Sequence, residues 1–223
     1  MILLVTDTSG RSGTAALARA HESDVALIEV VPLAGGMFSA QLVPQIATLL
    51  QMHNLNKTEI DAFVVVSGPG SFTGLRVGLA AIKALAEILQ KPIVSVSLLE
   101  VLATASRAQG KVVAVLDAGR SEAYFGAYEI AGETVRVLRE ELLAKSDFLS
   151  AARESTIVTP DTALSAAARD AGLAVVALEP VGTEMIARFG WKKLQAGDTV
   201  SPEQLEANYM RRSDAEIFVK KSS

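Results

Sequence analysis

The chain of 223 residues has no cysteine, which excludes disulfides and thiolate chemistry and is compatible with the cytoplasmic setting expected for it. Histidine is almost missing: His21 and His53 are the only two, and neither has a partner at ligand spacing, which argues against a histidine metal site. No apolar run reaches membrane-spanning length. The apolar start Met1-Ile2-Leu3-Leu4-Val5 is broken at once by Thr6 and Asp7 and lacks a basic beginning, so neither a membrane helix nor a signal peptide is expected. There is no basic excess either. Lys and Arg number 21 against 25 Asp and Glu, a formal charge of −4, so tight unaided binding to nucleic acid is not expected. No Ser-His-Asp arrangement is legible, and no low-complexity segment or long linker interrupts the chain. What the chain does have is a hydrophobic share of 50%, enough for a substantial core, at a length that suits two small domains.

The pattern along the chain points to an α/β fold built twice. Residues 2–5 form an apolar strand ending in Thr6-Asp7-Thr8-Ser9, and residues 14–19 and 24–30 read as two more strands. Val112-Val113-Ala114-Val115-Leu116-Asp117-Ala118-Gly119 repeats the first pattern and is again followed by strand patterns, at 122–130 and 133–141. Asp7 and Asp117 stand at matching places, each ending the first strand of its half. A three-stranded meander followed by alternating helices and strands predicts mixed sheets with helices on their faces, in two domains, 1–109 and 110–223.

Four helices can be placed. One over 39–53 carries Leu42, Ile46, Leu49 and Leu50 on a single face, with Pro44 predicting a kink or a late start. A second, rich in Ala and Leu, spans 79–89 and is ended by Lys91-Pro92 before a strand at 93–96. Ser97 with Glu100 makes a capping box for a third, to about Gln109, and Thr159-Pro160-Asp161 introduces a fourth, stopped by Gly172. Ser201-Pro202 with Gln204 resembles one further helix start. From Arg211 onward the tail is polar and expected to be loose.

The most informative segment is Ser67-Gly68-Pro69-Gly70-Ser71-Phe72-Thr73-Gly74-Leu75-Arg76-Val77-Gly78, between an apolar strand at 62–66 and the second helix. Glycines at a strand-to-helix turn permit close approach of another group, and a helix start favours an anion, so a phosphate cradle is one reading. The spacing fits neither the dinucleotide G-x-G-x-x-G nor a P-loop. The other reading is a launch for close helix packing, since Gly74 and Gly78, four apart, share one face. That face can press on the chain's own sheet or on another subunit. The spacing leaves both open. Asp7 and Asp117 are candidates to hold a metal-bound nucleotide or simply to cap turns. Glu122, Tyr124 and Tyr128 alternate onto one strand face, an interaction surface or a solvated one.

Taken together, Asp7-Thr8-Ser9, the block from Gly68 to Leu79, Ser97-Leu98-Leu99-Glu100, Asp117-Ala118-Gly119-Arg120-Ser121-Glu122-Ala123-Tyr124 and Asn208-Tyr209-Met210-Arg211 resemble the TsaB (YeaZ) family, in order and over nearly the whole chain. The resemblance implies the duplicated ribonuclease-H-like, actin-like ATPase fold. It also implies a non-catalytic scaffold without a cofactor or metal, which pairs with a catalytic paralogue, TsaD, in threonylcarbamoyl transfer to the tRNA adenosine next to the anticodon. A TsaE-type ATPase would dock on that heterodimer, tRNA would be reached only through the complex, and the chain would form a homodimer when the partner is absent. No membrane would be involved.

The family's contact helices map to Phe38, Ser39, Leu42, Val43, Ile46 and Leu50 on the first helix, and to Gly74, Arg76, Val77, Gly78, Ala81 and Leu85 on the second. A stable complex there would bury about 1,200–2,000 Å². Gly78→Leu is then expected to block helix approach. Phosphate or TsaE-junction contacts would fall to Asp7, Thr8, Ser9, Gly70, Ser71, Asp117 and Arg120. Two departures stand out: Phe38-Ser39-Ala40 replaces the usual His-Ser-Glu, predicting a more apolar contact, and Gly119 stands where a basic residue is common. The alternative is a small actin-like nucleotide hydrolase or kinase using Asp7 and Asp117.

Overall fold

The computed structural model describes residues 1–22 and 24–210; the expected loose tail, and Arg211 of the last motif, lie outside the described residues. In chain order the elements are β1 (Ile2–Asp7), β2 (Gly13–His21), β3 (Asp24–Leu33), α1 (Phe38–Met52), β4 (Ala62–Gly68), α2 (Phe72–Leu89), β5 (Ile93–Ser97) and α3 (Leu98–Ala105). There follow β6 (Gly110–Gly119), β7 (Glu122–Ala131), β8 (Thr134–Ala144), α4 (Phe148–Ala151), β9 (Thr156–Thr159), α5 (Thr162–Asp170), β10 (Val175–Ala177) and α6 (Thr183–Gln195). Among the described residues no helix is long and apolar enough to cross a membrane.

Two five-stranded sheets share one plan. The first runs β3-β2-β1-β4-β5 and the second β8-β7-β6-β9-β10, each an antiparallel meander extended by two parallel strands. This is the twice-built α/β plan expected from the repeated strand pattern, in the ribonuclease-H-like, actin-like arrangement that the family resemblance implies. The central strands β1 and β4 are nearly all apolar because helices cover both faces and leave no side for polar residues.

In the first unit, α1 and α2 cover one face, where Phe38, Leu42, Ile46 and Leu49 meet Leu4, Leu17, Phe63 and Val65, with Leu79 and Ile82. Helix α6 covers the other. Gly190 lies so close to β4 that an added Cβ would sit 2.4 Å from Val64 Cγ1. The Trp191 indole N–H donates to the Glu22 carbonyl at 2.8 Å, and Gln195 Nε2 donates to the same oxygen at 2.7 Å. In the second unit, Phe148, Leu164 and Ala168 pack on one face with Val113, Val115 and Phe125. Leu99, Leu102 and Ala103 of α3 pack on the other with Val112, Ala114, Tyr128 and Val158.

This exchange of helices divides the chain differently from the expected 1–109 and 110–223. Met1–Ser97 groups with Gly182–Asn208, and Leu98–Val181 with Tyr209 and Met210. Helix α3 follows β5 directly but its apolar stripe is buried by the second sheet, while α6 returns to the first. Sequence reading missed α6, which carries a glycine in its middle and buries Ile186, Ala187, Phe189, Gly190 and Trp191.

Five local expectations also change. Helix α2 starts at Phe72 rather than beyond Gly78, because the Ser71 hydroxyl accepts the Gly74 N–H and caps it. Helix α1 begins at Phe38 with Pro44 inside, so the start is not late. Helix α3 stops at Ala105, short of Gln109: the Ser106 hydroxyl donates to the Ala103 carbonyl at 2.6 Å, and Arg107 turns left-handed at φ 56°. At Ser201 the reciprocal capping bonds with Gln204 do form, at 3.1 and 3.3 Å, but they lead into only one turn. Leu205 then enters the core, and the Asn208 N–H joins the Ser67 carbonyl at 2.8 Å. The Glu122, Tyr124 and Tyr128 face is not a uniform solvated surface: Tyr128 is buried and packs with the half-buried Tyr124 in the α3 layer, while Glu122 is half-buried.

Replacing Trp191 with Ala removes a large buried ring and the donor that anchors the Glu22 turn. The expected loss is about 3–5 kcal/mol of unfolding free energy, measured by urea denaturation.

Candidate functional site

The glycine block meets the end of β1. Asp7 Oδ1 accepts the Ser9 N–H at 2.8 Å and the Ser9 hydroxyl at 2.6 Å, folding Asp7-Thr8-Ser9 into a tight polar turn. The Ser9 carbonyl accepts the Ser71 N–H at 2.7 Å, and the Thr8 hydroxyl donates to the Gly74 carbonyl at 2.8 Å. The glycines make this fit possible. An added Cβ would lie 2.4 Å from the Ser9 carbonyl oxygen at Gly70, 2.1 Å from the Thr8 carbonyl oxygen at Gly74, and 2.2 Å from Thr8 Oγ1 at Gly78. The space that a phosphate cradle would keep open is filled by the chain's own Thr8 and Ser9.

The two matched aspartates differ in chemistry. Burial raises the Asp7 carboxyl above its ordinary 3.8, and the bonds from the Ser9 hydroxyl and amide draw it back only in part. Asp117 is lowered instead, first by its bond with the Lys145 ammonium at 2.8 Å and then by the Gly119 N–H at 2.7 Å. Arg120 sits at the β6–β7 hairpin tip, where it and Ser121 both take positive φ, 51° and 61°.

The outer side of α1 and α2 is apolar and small-residue-rich. Val43 is 50% exposed and Ile88 71%. Arg76 stacks over the Phe72 ring at 3.8 Å. Ala80, Lys83, Ala84, Glu87 and Ile88 of α2, with Pro202 and Glu203 of the turn after α6, line an open groove of about 620 Å³.

A family model described as "TsaD: tRNA N6-adenosine threonylcarbamoyltransferase" matches residues 30–185. The Bacillus subtilis tRNA threonylcarbamoyladenosine biosynthesis protein TsaB is 31% identical over 156 residues, 69% of this chain and 67% of that protein. The chain belongs to the TsaB (YeaZ) family. An uncharacterized Mycobacterium leprae protein is 31% identical over 96% of this chain, which spans 56% of that relative's length. The YeaZ structure from Pseudomonas aeruginosa superposes with a TM-score of 0.68 over 93% of this chain and 99% of that one, at 24% identity, a likeness of fold.

For this TsaB-family chain, the residues expected at a partner contact divide into two sets. Phe38, Leu42, Ile46, Leu50, Gly74 and Gly78 are buried in the unit's own core. The Gly74 and Gly78 face presses on Thr8 and Phe38 of the same chain, which decides between the two packing readings left open by the spacing. Ser39, Val43 and Arg76 are exposed, and Val77, Ala81 and Leu85 are half-buried. Among the expected phosphate contacts, Thr8 and Ser9 are buried, Gly70 is packed on Ser9, and Ser71 is the exposed cap of α2. The expected contact set does not include the groove-lining Ala80, Ala84, Glu87 and Ile88. Their signal was available: all four fall out of phase with the buried stripe of Leu75, Leu79, Ile82 and Ala86.

Gly78→Leu therefore acts on folding before it acts on any partner. It is expected to cost at least about 2–3 kcal/mol of stability in urea denaturation, from a side chain forced into Thr8. Asp7→Asn keeps the acceptor for Ser9 and removes the charge. The ionised carboxylate destabilises the fold above its raised folded pKa, and that cost fades as pH falls toward 3.8. The variant is expected to melt higher than the parent near pH ~7, with the gap closing by about pH 4. A gap that stays constant with pH would rule out a raised carboxyl.

Proposed function

We propose that this chain is the non-catalytic scaffold subunit of a tRNA threonylcarbamoyladenosine-forming complex. It pairs with a TsaD-type paralogue through the exposed side of α1 and α2. The observation that carries the non-catalytic reading is the filled glycine block: Gly70, Gly74 and Gly78 are spent on seating α2 against Thr8 and Ser9, which leaves no cradle at that helix start. The relatives named for threonylcarbamoyladenosine biosynthesis support the pathway. The exposed Val43 and Ile88, beside Ala80 and Ala84, support the contact face, since solvent-exposed apolar groups on adjoining helices favour a partner. With Phe38 turned into the core, Ser39 and Val43 carry the contact at the α1 end.

In this reading the chain needs no cofactor of its own. A TsaE-type ATPase docks on the heterodimer, tRNA is reached only through the complex, and the same face pairs two copies when the paralogue is absent. The units Met1–Ser97 with Gly182–Asn208, and Leu98–Val181, act as the partner-binding and the smaller second domain.

The test is threonylcarbamoylation of tRNA by the source organism's TsaD, TsaE and synthase, with and without this chain. Modification is expected only when it is added. Val43→Asp is expected to weaken pairing about 10-fold or more by placing a charge on the contact, with the melting temperature unchanged because the residue is exposed. Modification that proceeds equally well without the chain would overturn the proposal.

A further inference from the structure

The groove beside α2 combines three features. Its lining is small and apolar at Ala80 and Ala84 of α2 and bulkier at Ile88 and at Pro202 of the turn after α6. The Pro202 wall is rigid. Ser201 accepts the Gln204 N–H and donates to the Glu203 carboxylate at 2.6 Å, its own N–H is held by Gln204 Oε1, and Leu205 anchors the turn in the core. The rim is charged unequally. Lys83 faces Glu203, whose carboxyl is held below its ordinary value by the Ser201 hydroxyl and, to a lesser degree, by Lys83. The Glu87 carboxylate has no hydrogen-bond or ion-pair partner among the described residues, so the rim carries one acid in excess.

We infer that this groove is a specificity pocket for the docking partner: it seats one bulky apolar side chain of a partner helix whose neighbouring basic side chain pairs with Glu87. The inference rests on the proposed pairing through α2 and adds to it a wall from outside the two contact helices, the Ser201–Gln204 turn. Charge complementarity selects the occupant. An acidic partner helix would meet Glu87 and Glu203 together, whereas a basic one answers the unpaired carboxylate. The small side chains of Ala80 and Ala84 leave room for an apolar group beside the fixed Pro202, and a groove so lined gains contacts by being filled. The groove runs along the same exposed helix as Arg76 and Ala80, so one partner helix lying on α2 reaches both.

The probe is the source organism's purified TsaD-type paralogue, titrated against the intact chain. Ala84→Trp fills the groove from an exposed position, and Glu87→Lys reverses the rim. Ala84→Trp is expected to raise Kd about 10-fold or more with the melting temperature unchanged. Glu87→Lys is expected to raise it several-fold, about 3–10, and to flatten its dependence on salt, with Glu87→Gln between it and the parent. Pro202→Gly, which loosens the wall, is expected to weaken binding without abolishing it. If Ala84→Trp and Glu87→Lys bind within about twofold of the parent while Val43→Asp is impaired, the pocket is wrong and the proposed pairing stands. If the parent chain itself does not bind the paralogue, both fail, and the two failures are told apart by that single titration.

Discussion

The seating of α2 on the turn after β1 is the constraint on which the first unit depends. A helix of 18 residues starts one residue after Ser71 and descends directly over Thr8 and Ser9, so closely that its first turns tolerate no side chain at Gly74 or Gly78. The Thr8 hydroxyl bonds a helix carbonyl and the Ser9 carbonyl bonds the helix cap, so backbone polar groups that the close approach removes from water find partners in each other. Phe38 closes the same spot from α1, with its ring 3.1 Å from where a Gly74 Cβ would stand. The positions of α1, α2 and β1 are thus set at one point, and that point also fixes which side of the helix pair faces outward.

That seating also explains why a glycine-rich loop at a strand-to-helix turn does not have to bind an anion here. Amides at a helix start attract negative charge only if they can be reached. In this chain the Ser71 N–H is bonded to Ser9, the Gly74 N–H to the Ser71 hydroxyl, and the half-buried Asp7 carboxylate turns its Oδ1 toward Ser9. The second copy of the same strand-turn plan is built otherwise. Asp117 lies in the open, paired with Lys145, at a hairpin tip where Arg120 and Ser121 hold left-handed backbone without glycine. One architecture therefore supports two chemically different turns, which fits a duplicated frame retained for shape.

Much of the fold was legible in the residues themselves. The continuous apolar runs of β1 and β4, the repeated meander, and the stripe of Leu42, Ile46, Leu49 and Leu50 on α1 each come from period and burial alone. Strand pairing into two like sheets came from the repeat. Less of the site was legible. Six of the twelve residues expected at a partner contact belong to the core, because an apolar residue on an amphipathic helix reads the same whether sheet or partner covers it. The capping pair Ser201 and Gln204 was read correctly as a local bond pattern and wrongly as a helix, since the core's demand for Leu205 ends the turn after a single round.

The sequence by itself determined the α/β class, the duplication, the glycine turn and the apolar stripe of α1, all of which depend on neighbours within a few residues or on a repeated pattern. Tertiary structure alone decided which helix covers which sheet, sending α3 to the second and α6 back to the first. It also turned the Gly74 and Gly78 face inward and brought Pro202 beside Ala84. The reason is physical. Local periodicity specifies that a face is apolar, whereas the surface that buries it is chosen by long-range packing, which no window of the chain contains.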